Sequence, residues 1–207
     1  IRVVARSQQV VRVDFDKEGC TPQERIDIRV AVGAALRRGS TKVMILSDYG
    51  KGALEEAAYL IKRAKEVGVT VLVDPKGLDY SRYQGADLIK PNETELKEIM
   101  GGWASPEQMT AKAQLLRSQA NVGYLLVTQA ASGMTLFWEG GSEHFPAQAR
   151  EVYDVTGAGD TAIAALAVGL TLGMSYPEAT KVANTAAGLV CGPFGTATTT
   201  WEEIHAA

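Results

Sequence analysis

The sequence has 207 residues, 46% of them hydrophobic and 22% charged, which suits one buried core and excludes a disordered or fibrous chain. A net charge of −3 leaves no electrostatic footprint for nucleic acid, and no apolar run reaches the roughly 20 residues of a membrane span. Cys20 and Cys191 are too few for a disulfide framework or a Cys-based zinc site; with no secretory leader expected, they read as reduced thiols of a cytoplasmic protein.

Ile1 opens inside an alternating pattern without an initiating Met, so the sequence reads as the remainder of a longer chain. Over residues 1–15, Val3, Ala5, Val11, Val13 and Phe15 alternate with polar side chains, predicting a half-buried strand or hairpin. Thr21-Pro22 with Glu24 close behind predicts a helix start. KVMIL (42–46) predicts a short buried strand, followed by a helix over 54–67 that stops at Gly68. TVLVD (70–74), ADLIK (86–90) and YLLVT (124–128) predict further strands, with helices over 93–100 and 106–119. Apolar strands alternating with amphipathic helices imply a parallel sheet covered on both faces.

Past Thr128 the texture changes. MTLFW (134–138) and EHFPA (143–147), separated by Gly140-Gly141, predict an antiparallel hairpin at the sheet edge. Two Ala-rich helices, over 158–172 and 176–190, are predicted to close the chain. In such a sheet, ligands collect at the carboxyl ends of the strands.

DVTGAGD (154–160), directly before the apolar helix TAIAALAVGL, carries the strongest chemical signal. Gly157, Ala158 and Gly159 let backbone N–H groups converge at a helix N-terminus, where the dipole favours an anion. Asp160 falls in the first turn beside them, joining a base to an anion hole, as phosphoryl transfer to a hydroxyl requires. The plain alternative is a turn glycine and a first-turn Asp. PNETE (91–95) offers Asn92 and Glu95, which also fit a capping box, and Asn92-Glu93-Thr94 is formally a glycosylation sequon.

These motifs resemble, in order, those of the ribokinase-like (PfkB) sugar kinases, whose signature ends in the Asp that deprotonates the acceptor hydroxyl. The resemblance implies a three-layer α/β/α sandwich over 1–207 as one ATP-binding and catalytic core. It assigns Asp160 as the base, with Gly157, Ala158 and Gly159 at the developing charge. Asn92 and Glu95 match the family's N-x-x-E motif near Mg²⁺ and the ATP phosphates. VTQAASGM (127–134) matches its T-x-x-x-x-G stretch beneath the nucleotide, giving Thr128 and Gly133. ANTAAG (183–188) resembles the helix bordering the adenine, with Asn184 as its polar residue. Thr128 and Gly133 also read as strand-end and turn residues, and Asn184 as a helix residue bonding a nearby loop. Asp154 and Thr156 correspond to a monovalent-cation site.

RSQQVVRVDF (6–15), LSDYGKGAL (46–54), VDPKG (73–77) and EVYDVTGAGDT (151–161) are similar, more narrowly, to the D-glycero-β-D-manno-heptose 7-phosphate kinases of ADP-heptose and lipopolysaccharide-core synthesis. This implies a sugar phosphate and ATP as ligands, and a homodimer for the complete enzyme. Lys51 and Lys76 follow predicted strands and suit phosphate as point charges; solvated surface cations are the alternative. Gly50-Lys51-Gly52 is no Walker A, since position 45 is Ile and Gly52 stands where Ser or Thr is needed. The family's N-terminal third, with its sugar-contacting Gly-Gly motif and most of the β lid, has no counterpart, and residues 1–15 resemble the last lid strand. Another PfkB-type sugar or nucleoside kinase, or an inactive nucleotide-binding fragment, fits the same motifs. A dinucleotide oxidoreductase does not, because no G-x-G-x-x-G follows an early strand.

Overall fold

The computed structural model describes residues 2–5, 8–12, 19–147, 155–191 and 197–207. The opening alternation forms a hairpin, β1 (Arg2–Ala5) against β2 (Gln8–Arg12), antiparallel with Val3 opposite Val11. Val13 and Phe15 lie outside the described residues.

Helix α1 (Pro22–Arg37) starts as the sequence dictates. The Thr21 hydroxyl accepts the Glu24 N–H, while the Glu24 carboxylate accepts the Thr21 N–H. Strands β3 (Val43–Ser47), β4 (Thr70–Asp74), β5 (Leu88–Ile89) and β6 (Tyr124–Thr128) then run parallel. The helices between them are α2 (Ala57–Glu66), α3 (Glu93–Met100) and α4 (Pro106–Gln119). β7 (Met134–Trp138) and β8 (Gly141–Phe145) complete a six-stranded sheet as antiparallel partners, in the order β3-β4-β5-β6-β7-β8.

Strands β4, β5 and β6 are buried on both faces, which is why they read as apolar runs. Val71, Val73, Leu125, Val127 and Phe137 point into a core shared with α2, α3 and α4. Their strand neighbours Leu72, Leu126 and Leu136 point into a second core, shared with α5 (Ala158–Thr171) and α6 (Tyr176–Val190). Three layers result, the sheet sandwiched between the two helical layers.

Four expectations are corrected. β3 is the terminal strand in the described sheet, so Ile45 is 38% exposed instead of buried. α2 begins at Ala57, because residues 53–56 turn before the helix can propagate. β8 begins at Gly141, since the two-residue turn at Glu139-Gly140 already brings Gly141 opposite Trp138. The chain closes on a further helix, α7 (Trp201–Ala206), capped by a Thr200–Glu203 box and packed on α6.

Candidate active site

The four parallel strands end on one side of the sheet, at Ser47, Asp74, Ile89 and Thr128. Two contacts bring the start of α5 onto this edge. The Tyr49 phenol donates to Asp160 Oδ1 at 3.1 Å, and a Cβ on Gly159 would stand 3.3 Å from Lys90 Nζ. Gly157 caps the helix with φ 84° and ψ −4°, a left-handed conformation that a side chain would oppose. Asp160 is then the third helical residue, exposed, with the helix dipole behind it. Of the three N–H groups expected to converge here, that of Ala158 donates to the Val155 carbonyl at 3.2 Å, closing the turn into the helix.

Lys90 and Asp74 form the floor of this corner. Lys90 is 4% exposed and its Nζ lies 3.1 Å from Asp74 Oδ2. Burial raises the Asp74 pKa above its ordinary value; Lys90 pulls it down, while Glu95 and Asp160 push it up. The sequence reading assigned neither residue a role. Its signal was a lysine ending an apolar strand, since a lysine is almost never fully buried unless paired.

Asn92 and Glu95 form the capping box of α3: Asn92 Oδ1 accepts the Glu95 N–H at 2.9 Å, and Glu95 Oε2 accepts the Asn92 N–H at 3.0 Å. Glu95 Oε1 lies 3.3 Å from Lys76 Nζ. The Thr128 N–H donates to the Pro91 carbonyl at 3.0 Å, bridging the end of β6 to Asn92. Lys76, Asn92, Glu95 and Thr128 therefore sit together, and Asp74 feels the repulsion of both Glu95 and Asp160. Lys51 is exposed in the turn that also carries Tyr49. Asn184 is buried on α6, where its Nδ2 donates to the Pro146 carbonyl at 2.8 Å, the loop-bonding role. Asp154 lies outside the described residues; Thr156 is half-buried.

Gly133 has φ 94°, and a Cβ there would overlap the Phe145 carbonyl oxygen and stand 2.6 Å from the Ala147 nitrogen. Gly133→Ala is expected to cost about 1–3 kcal/mol, through backbone strain and overpacking, measured as a lower urea midpoint. An unchanged midpoint would mean that the β8 exit yields freely.

Comparison with known proteins adds kinship to this geometry. The chain is 46% identical over 206 residues to the bifunctional protein HldE of Aeromonas hydrophila, covering 99% of this chain and 42% of that protein. The HldE of Nitrosococcus oceani is 45% identical over 208 residues, covering 100% and 43% respectively. The chain thus spans less than half the length of these relatives. Phosphofructokinase-2 of Escherichia coli, in complex with potassium, has a TM-score of 0.78 at 20% identity, covering 91% of this chain and 62% of that one. Ribokinase of Arabidopsis thaliana, complexed with ribose and ATP, gives 0.71 at 24% identity, over 92% and 60%. These overlays establish the ribokinase-like fold. Residues 27–203, running from α1 into α7, match the pfkB family carbohydrate kinase pattern, and the chain belongs to that family.

Proposed function

We propose that these residues form the nucleotide-binding and catalytic part of an ATP-dependent kinase. Its acceptor is D-glycero-β-D-manno-heptose 7-phosphate, phosphorylated on the anomeric hydroxyl to the 1,7-bisphosphate. One observation carries this reading: Asp160 stands exposed in the first turn of α5, over the carboxyl ends of the parallel strands. The HldE kinship over nearly the whole chain supports the choice of sugar.

The acceptor oxygen attacks the γ-phosphorus while its proton passes to the Asp160 carboxylate. The bond from that phosphorus to the β–γ bridging oxygen breaks, and its electron pair leaves with ADP. The N–H groups of Gly157 and Gly159 and the α5 dipole face the charge on the transferred group. Lys90, paired with Asp74, brings its ammonium close to Gly159 in the same corner.

Among the described residues no three His, Cys, Asp or Glu side chains gather into a metal cage. With Asn92 Oδ1 and Glu95 Oε2 held in the capping box and Glu95 Oε1 against Lys76, these two residues would hold Mg²⁺ through its waters, an ion that usually keeps several of them and takes the rest of its shell from phosphates. Bound there with ATP, the ion would neutralise phosphate charge. Thr128 and Gly133 line the nucleotide side of the sheet edge. Lys76, resting on Glu95, belongs to this phosphate end, which leaves Lys51 for the phosphate of the sugar.

The full-length enzyme tests this with two acceptors. Lys51→Met should weaken heptose 7-phosphate about tenfold, the loss of one charge-assisted contact, and leave unphosphorylated heptose unaffected. Lys76→Met should slow both sugars equally. No turnover of heptose 7-phosphate, with turnover of a fructose phosphate or a nucleoside, would move the protein to another branch of the family. ATP binding with no turnover of any acceptor would make it a nucleotide-binding module.

A further inference from the structure

The turn after β3 is unusually well fixed for a loop with an exposed aromatic residue at its tip. Asp48 is 8% exposed and held from several directions. Its Oδ2 accepts the Tyr83 hydroxyl at 2.6 Å, with the Arg82 guanidinium 3.6 Å away, and its Oδ1 accepts the Gly50 N–H at 2.8 Å. Its own N–H donates to the Asp74 carbonyl at 2.9 Å, tying the turn to the neighbouring strand. Burial, and then the bond to Asp48, push the Tyr83 phenol up to about 12, so it stays a donor across the neutral range.

Between Asp48 and Gly50 stands Tyr49, 62% exposed. A phenol so placed can satisfy itself with water. Tyr49 instead donates to Asp160 Oδ1 at 3.1 Å, across 111 residues of sequence. The slight desolvation of the phenol, with the Asp160 charge as the next cause, raises its pKa and keeps its proton in place. An aspartate carboxylate turns through a broad, nearly two-fold torsional well. A donor fixed on one oxygen narrows that rotation and turns the other oxygen outward.

We propose that Tyr49 is a positioning residue for phosphoryl transfer: its phenol holds Oδ1 of Asp160, so that Oδ2 faces the acceptor hydroxyl. This rests on Asp160 being the base, as proposed above. The Asp48–Tyr83 anchor supplies the rigidity, and Tyr49 transmits it. Preorganisation of this kind acts on the chemical step and leaves nucleotide binding alone.

Tyr49→Phe in the full-length enzyme, assayed with ATP and heptose 7-phosphate, keeps the ring and removes the hydroxyl. It should lower kcat about 5- to 30-fold, less than the roughly 10- to 150-fold of a buried hydrogen bond to a charged group because this pair is exposed, with the KM for ATP unchanged. In an Asp160→Asn background the same substitution should cause no further loss, because the group it positions no longer takes a proton. An equal fold-loss in both backgrounds, an unchanged kcat, or a loss confined to KM would each overturn the proposal. So would a gain in kcat or a lower acceptor KM, which would mean that the phenol occupies the place of the acceptor. The urea midpoint of Tyr49→Phe should match the wild type; a lower one accompanied by equal losses in both backgrounds marks a structural role. The two readings fail separately. Near-normal turnover in Asp160→Asn sinks the base and Tyr49 with it, whereas a crippled Asp160→Asn beside an unaffected Tyr49→Phe sinks Tyr49 alone.

Discussion

Asp160→Asn is expected to lower kcat of the full-length enzyme by about 10²–10⁴-fold, the usual contribution of a general base, while ATP affinity stays within a few-fold. Asn has the same shape and still accepts a hydrogen bond from Tyr49, so the α5 turn keeps its geometry. Only proton transfer is removed. Steady-state rates and ATP titration, measured on one preparation, separate the two effects. Turnover near the wild-type level would remove Asp160 from the chemistry and leave it as a first-turn residue that complements the helix dipole.

Lys90→Met should cost about 1–3 kcal/mol of folding stability at neutral pH, because it leaves the partly buried Asp74 carboxylate without its partner. The pH dependence has a definite sign. The Asp74 pKa is raised in the folded chain, so the native state holds this proton more tightly than the unfolded state does. Its contribution to stability therefore falls as pH rises from the ordinary carboxylate value through the raised one. Without Lys90 the one cause pulling that pKa down is gone, and the loss should be larger at pH 7 than at pH 4. Adding Asp74→Asn removes the stranded charge and should restore much of the stability. Urea denaturation of the single and double variants checks this. Equal losses at the two pH values, or no rescue by Asp74→Asn, would show that Lys90 contributes by packing alone.

Local chemistry explains what the sequence made legible. The bounds of α3 and α4 follow from Asn92 and Ser105, whose side chains accept the first free N–H groups, and from Pro106 at the first helical position. The parallel core strands were readable because two-sided burial leaves no polar positions in them. The exposure of β3 was not, since it depends on what lies beside the strand and not on its own residues. α7 escaped because six residues carry too little periodicity; its Thr200–Glu203 box was the available mark. Of the candidate site, Asn92, Glu95, Thr128 and Asp160 could be singled out because each sits in a contiguous motif. Lys90–Asp74 is a product of register: Val73 pairs with Ile89, so the next residues on the two strands meet. Tyr49 with Asp160 is a product of tertiary packing, which no local pattern encodes.

The order of strands across the sheet repeats their order along the chain, so every pairing closes a short segment. Helix α5 breaks that rule. It follows the entire sheet in sequence yet packs back on β3 and β4, which brings together residues 111 positions apart at Tyr49 and Asp160. Among the described residues this docking closes a long loop, with a correspondingly large loop entropy to overcome. During synthesis the sheet can assemble strand by strand as it emerges from the ribosome, while the corner holding Asp160 waits for α5 to arrive. A chain of this sequence therefore pairs its six described sheet strands before Tyr49 and Asp160 can meet, so the contact that fixes this corner is made late and depends on strands already in register.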